Sequence, residues 1–269
     1  MITNLVIGSE GFVGKPFCKF LERKGEKVIH LDIKRDKKED ARITKLDLKN
    51  IDRIYFLAWD VGGAKYLYDE NVQLSQLKWN LALMKNVFDQ IESQNRDFLF
   101  ISSQLAGQAE TVYGMTKKLG EMWTCLLRGI SVRLWNVYGE LEEPHLKSHV
   151  LSDFVNQAIS AGEIKMLTTG EEWRQFVHVD DVCNAFSLAL SHKNLQRSFY
   201  DVTSYEWIKV KDAAQMICDL TGAILIPGTA IGRDQLDSPH MGRLPGWLPQ
   251  VSLEDGLSRM ITQAKLKRK

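Results

Sequence analysis

Tyr113 and Lys117 stand four residues apart in the segment SQLAGQAETVYGMTKK, and only nine residues separate the tyrosine from Ser103 at the segment's start. On a helix, positions i and i+4 share one face, so the phenol and the ammonium would project together. A cation beside a phenol favours the phenolate and draws its pKa down from roughly 10, toward the range in which a tyrosine exchanges protons with a substrate. Ser103 closes the apolar run FLFISS, where its hydroxyl could orient the same substrate oxygen; Ser102 is the second candidate for that role. In a chain rich in lysine a Y-x-x-x-K spacing recurs by chance, so its placement in the fold has to carry the argument.

The elements around it are short β-branched or aromatic runs alternating with helical patterns. NLVIG, KVIHLD, IYFLA, FLFIS and ISVRLW read as strands, with helices expected at about 11–24, 74–91 and 113–127. That alternation predicts parallel βαβ units, and therefore an α/β fold with a doubly wound parallel sheet of the Rossmann kind. Past Asn136 the rhythm breaks into a smaller mixed α+β substrate-binding portion. The division expected is 1–140 for the sheet domain, with a return segment at about 176–205, and 141–269 for the smaller portion. Ser103 would then lie at a strand's carboxyl end, where open α/β sheets bind ligands, with Tyr113 opening the next helix.

Gly8, Gly11 and Gly14 follow the first strand in IGSEGFVG, and Asp32 closes the second strand, 24 residues beyond Gly8. A strand-to-helix turn without Cβ atoms lets backbone N–H groups meet a pyrophosphate, and a carboxylate at the second strand accepts from a ribose hydroxyl. Asp32 would repel a 2′-phosphate, which favours NAD over NADP, although Lys34 and Arg35 follow closely.

Composition narrows the rest. The 35 basic and 34 acidic side chains leave a net charge of +1, with 44% hydrophobic residues, so no field attracts nucleic acid. Four scattered cysteines form no C-x-x-C pair, which suggests neither a metal site nor a disulfide framework. No window reaches the apolar length of a membrane span, and a cytoplasmic protein is expected.

Taken in order, GSEGFVG, Asp32, LDL at 46–48, FLA at 56–58, Asn80, FISS, YGMTK, RLWNVYG, RQFVHVDDV and GWLPQVSLEDGL resemble the extended short-chain dehydrogenase/reductases that act on nucleotide sugars, the NAD-dependent epimerase/dehydratase family. The resemblance implies that Tyr113 is the acid/base, that Lys117 binds the nicotinamide ribose and tunes Tyr113, and that Ser103 supports the reacting oxygen. It implies cofactor contacts from Gly8, Gly11, Phe12, Val13, Gly14, Asp32, Asp47, Leu48, Leu57, Ala58, Tyr113 and Lys117. It also implies contacts to a nucleotide-diphosphate sugar from Asn136, His149, Arg174 and Arg233, and a homodimer built from the Asn80 and Tyr113 helices, with Trp79, Met122 and Trp123 facing outward.

Family members share hydride transfer at sugar C4 and differ in the fate of the 4-keto intermediate. Gln104 and Leu105 stand where dehydratases carry an Asp-Glu pair, which disfavours 4,6-dehydration. AWDVGG with SHVLSDF looks like the branch containing GDP-fucose synthase; His149 matches that branch's histidine, while Leu105 stands where its cysteine should be. An epimerase is expected, with a C4 dehydrogenase or 4-keto reductase as the alternative. A non-catalytic dinucleotide sensor is the reading from another class, against which the presence of Tyr113 and Lys117 argues. The short Ser103–Tyr113 segment predicts a sugar pocket that is open on that side, or closed by another loop or a neighbouring subunit.

Overall fold

The computed structural model describes residues 1–94, 96–143, 147–192, 195, 199–236, 240 and 242–267; parts of the expected return segment and of the smaller portion therefore lie outside the described residues. In chain order the elements are β1 Thr3–Ile7, α1 Gly14–Arg23, β2 Lys27–Leu31, β3 Arg53–Phe56, α2 Ala64–Leu67, α3 Glu70–Glu92, β4 Asp97–Ser103, α4 Leu105–Gln108, α5 Val112–Leu126, β5 Ile130–Leu134 and β6 Asn136–Tyr138. There follow α6 Val150–Ala161, β7 Glu163–Lys165, β8 Trp173–Arg174, β9 Phe176–His178, α7 Val179–Ser191, β10 Phe199–Val202, β11 Ile208–Lys209, α8 Val210–Thr221, β12 Ile224–Ile226 and α9 Leu253–Leu266. No helix among the described residues is long and apolar enough to cross a membrane.

Six strands form one parallel sheet in the order β10-β5-β4-β3-β1-β2. Period-two alternation explains why its strands are apolar throughout: along β1, Leu5 and Ile7 enter one core while Val6 enters the other. One core packs Phe17 of α1 and Phe186 of α7 against Tyr55; the opposite one packs Phe88 of α3 against Phe56, Phe98 and Phe100. Each fully buried phenylalanine contributes about 1.5–3 kcal/mol, so these ring clusters fix the sheet on which the site is mounted.

A third core joins α6, α8 and α9 through Phe154, Ile217 and Met260, beside the short pairs β6–β9, β7–β12 and β8–β11. Local chemistry sets its boundaries. Gly162 and Gly222 end α6 and α8 at φ 70° and 79°, the left-handed conformation a helix-terminating glycine takes at no steric cost, and Ser252 caps α9 by accepting from Asp255 N at 3.1 Å. The first helix starts at Gly14 rather than at Gly11, because residues 11–13 are spent on the turn that leaves β1.

Candidate active site

The order of the sheet reverses between β1 and β3, and the turn that follows β1 rises there. Gly8 has φ 94°, and a Cβ on it would stand 2.5 Å from Ala58 N; one on Gly14 would collide with the Gly8 carbonyl. Only glycines let the turn lie this close to the end of β3, with Gly11 N donating to Gly8 O at 3.1 Å. Asp32 is buried; its Oδ2 accepts from Glu10 N and its Oδ1 from Lys34 N, both at 2.8 Å, which leaves further lone pairs on the cleft side. Glu39 accepts from Asp32 N at 3.1 Å and lies 4.0 Å from Arg35, so a second carboxylate stands beside Asp32. The cleft above has a volume of about 1080 Å³, more than the roughly 300–1,000 Å³ of a site for one small ligand. A glycine cradle, a positioned carboxylate and this volume fit a dinucleotide together with a second ligand.

Ser102 and Ser103 end β4 at the other side of this cleft. The chain then makes the single turn α4, ends it at Ala109 with φ 52°, and starts α5 from Thr111, whose Oγ1 accepts from Gly114 N at 3.0 Å. Gly114 lets the two helices touch, since a Cβ there would stand 2.5 Å from Leu105 O. Tyr113 is thereby brought to Ser103, with Lys117 one turn further along the same face. The Ser103 hydroxyl donates to Gln104 Oε1 at 2.8 Å. Ser102 is committed elsewhere: it donates to Glu121 Oε1 at 2.7 Å, inside a buried network in which Arg133 reaches both Glu121 oxygens at 2.6 and 2.8 Å.

One expectation is corrected here. Lys117 does not depress Tyr113 in this arrangement: burial pushes the phenol up to about 12, and only the Ser103 hydroxyl pulls it the other way. The reason is position. The Lys117 ammonium donates to Ile101 O at 2.6 Å, and its own pKa is driven well below the usual lysine value by burial, against the attraction of Glu121.

The wall that the short Ser103–Tyr113 segment leaves out is supplied from elsewhere in the chain. Tyr66 and Leu67 of α2 pack on Tyr113 together with Trp59, Val61 and Leu105. This loop is pinned to the start of α6, because Tyr66 Oη and Lys147 Nζ both bond Asp60, at 2.7 and 2.5 Å, and Gly63 N donates to Lys147 O at 3.0 Å.

Gly8, Gly11, Phe12, Val13, Gly14, Asp32, Leu57, Ala58, Ser103, Tyr113, Lys117, Asn136, His149 and Arg174 all line the one cleft. Asn136 Nδ2 donates to Gln175 O and Gln235 Oε1, both at 2.9 Å. His149 Nδ1 lies 2.7 Å from Glu142 Oε2, and its ring stacks on Phe12 at 4.6 Å. Burial lowers the proton affinity of Arg174, which Glu172 and Asp234 oppose. Three expected residues lie elsewhere. Leu48 is wholly buried in the core and Asp47 points into solvent, so neither reaches the cleft. Arg233 is two-thirds exposed, paired with Glu110 at 3.5 Å and stacked over Tyr68, whose ring stands between it and the cleft that Tyr68 lines.

Sequence reasoning missed Asp40, Ala41 and Arg42, which line the cleft where LDL was expected; Arg42 pairs with Asp40 and lies 3.3 Å from the Trp79 ring centroid. It also missed Trp59, Glu142 and Gln235. The one available signal was Trp59 itself, a bulky aromatic directly after FLA.

Residues 4–203 match the model of a family described as the NAD dependent epimerase/dehydratase family. Among curated relatives, the UDP-glucose 4-epimerase of Mycolicibacterium smegmatis is 24% identical over 55% of this chain and 51% of its own length, so the chain spans about half of that relative. The UDP-glucuronic acid decarboxylase 1 of Xenopus tropicalis is 24% identical over 96% of this chain and 70% of its own length. Among solved structures, UDP-glucuronic acid 4-epimerase from Bacillus cereus, in complex with UDP-glucuronic acid and NAD, superposes with a TM-score of 0.79 at 18% identity, covering 99% of this chain and 100% of that one. That likeness is one of fold.

Proposed function

Because the chain belongs to the NAD dependent epimerase/dehydratase family, we propose that it is an NAD-dependent nucleotide-sugar epimerase or oxidoreductase working at sugar C4. The observation that carries this reading is the convergence of Ser103, Tyr113 and Lys117 on the same cleft that holds the glycine turn and Asp32 at its other end.

The glycine turn and Asp32 would hold NAD, which supplies an acceptor for the C4 hydride and returns it. Tyr113 takes the C4 hydroxyl proton as that hydride leaves, and later gives the proton back. Ser103 hydrogen-bonds the reacting oxygen and favours the phenolate of Tyr113, and Lys117 binds the nicotinamide ribose. Asn136 and Arg174 hold the nucleotide-diphosphate sugar. Epimerisation follows if the 4-keto sugar turns before the hydride returns. Gln104 and Leu105 transfer no protons, which argues against 4,6-dehydration.

The second reading is a C4 dehydrogenase or a 4-keto reductase related to GDP-fucose synthase. It is favoured by the carboxylate-oriented His149 on the cleft wall. A panel of nucleotide sugars, with and without added NAD or NADH, separates the readings: isomer formation without net cofactor change identifies an epimerase, NADH accumulation a dehydrogenase and NADH consumption a reductase. Absence of both turnover and dinucleotide binding would reject all three.

We also propose a cytoplasmic homodimer through α3 and α5. Met115, Leu119, Met122 and Leu126 form an exposed stripe at helical spacing on α5, beside exposed Leu74 and Leu81 on α3. Trp123 is not part of it, since it packs inward on Phe88 at 5.2 Å, and Trp79 is covered by Arg42.

A further inference from the structure

Lys117 sits in a socket made chiefly of rings. Its Nζ lies 3.9 Å from the Trp59 ring centroid, 4.9 Å from Phe100 and 5.8 Å from Tyr113, while donating to Ile101 O at 2.6 Å. Only 2% of the residue is exposed, so water is excluded, and an ammonium stripped of water loses its proton more readily. The carboxylate nearest along the helix, Glu121, is already engaged by Arg133, Ser102 and, at 3.8 Å, Lys118. Asp60, beside Trp59 in the chain, is held by Lys147 and Tyr66. The negative ring faces therefore take the place of water around the cation.

Trp59 is the nearest ring, and besides lining the cleft it turns the face of its indole to the ammonium. Its Nε1 is buried without a hydrogen-bond partner, an arrangement that costs free energy where a phenylalanine would avoid it. Phe56 and Phe100 brace it at 6.1 and 5.3 Å, with its face on the lysine. What the indole contributes is that face.

We propose that Trp59 is a positioning residue for Lys117, its indole forming with Phe100 and Tyr113 an aromatic cage that holds the buried ammonium at the carboxyl end of β4 and keeps it charged there. The cage's functional importance rests on the proposed role of Lys117 in binding the dinucleotide. Its physical claim concerns one amine and is measurable without turnover.

The test is the pH titration of Lys117 followed by the carbon-13 NMR shift of its own Cε, which needs no reagent to reach the buried amine, for the wild type and for Trp59→Met and Trp59→Phe. The methionine variant keeps the bulk and removes the ring, and its Lys117 midpoint is expected about one pH unit lower. Phenylalanine keeps a ring, and should recover at least half of that shift. An unchanged midpoint in the methionine variant, or equal shifts in both variants, overturns the cage; if Trp59→Met does not fold, a full one-unit fall in Trp59→Phe overturns it alone. NAD calorimetry on the wild type is run beside it. A shifted midpoint without NAD binding would uphold the cage and remove the dinucleotide reading, whereas NAD binding with unshifted midpoints would do the reverse.

Discussion

The Lys117 ammonium donates to the Ile101 carbonyl oxygen across 2.6 Å, which ties the catalytic helix α5 to the strand β4 that delivers Ser103. With the Ser102–Glu121 hydrogen bond at 2.7 Å it fixes the distance between the two elements that carry the proposed chemistry. It also turns the lysine's charge toward the sheet, and burial then leaves Tyr113 at about 12, a neutral phenol at physiological pH.

Tyr113→Phe should lower turnover by roughly 10²–10⁴-fold while leaving NAD binding within about threefold, because the hydroxyl's main task is to move a proton and the glycine turn and Asp32 remain to hold the dinucleotide. The same variant reports the buried phenol through stability. A group whose folded pKa lies above its unfolded value stabilises fully below the unfolded value and less as pH rises through the folded one. Between about pH 10 and pH 12 the wild type should therefore lose stability relative to Tyr113→Phe, by at most about 2–3 kcal/mol, measured by urea unfolding along that range.

Lys117→Met should abolish activity and yet raise the melting temperature at neutral pH. The fold depresses the lysine's proton affinity, so its charge costs stability at every pH below the unfolded lysine value. Removing a buried charge of this kind gains about 1–2 kcal/mol. Calorimetric melting at pH 7 checks it, and a lower melting temperature would show that the cage and the Ile101 bond outweigh burial.

Glu121 and Arg133 form a pair with 0% and 1% of their side chains exposed. Breaking one partner strands the other charge, so Arg133→Met and Glu121→Gln should each cost about 3–5 kcal/mol, and the double variant clearly less than their sum. Denaturant unfolding of the cycle measures the coupling.

The features legible beforehand are the local ones. The glycine turn, Asp32 and the Tyr113–Lys117 spacing are set within one turn or one strand end, and alternation along β1 and β4 gives the parallel sheet. The part that Asp40–Arg42 take in lining the cleft was hidden, because their place depends on the stacking of Arg42 against Trp79 of a distant helix, while the side chain of Leu48 in LDL is drawn into the core. The α2 wall beside Tyr113 was equally hidden, since Asp60 and Lys147, which pin it, are 87 residues apart. The Ile101 carbonyl as the Lys117 partner was hidden for a similar reason: the i,i+4 spacing places the ammonium near the Tyr113 ring, and only the packing of β4 decides which oxygen it meets.

Leu119→Glu with Met122→Glu on α5 should yield a monomer in sedimentation velocity where the wild type sediments as a dimer, with unchanged far-ultraviolet circular dichroism. A wild type that is monomeric at working concentration would remove the interface.

The central claim is hydride removal from sugar C4, and a substrate deuterated at C4 tests it most directly. With the nucleotide sugar that the panel identifies, the deuterium should be found by NMR either back on C4 of the product or on the reduced nicotinamide, with none in water. Loss of the label to solvent, or product that keeps the deuterium on C4 with the configuration of C4 unchanged, would contradict it.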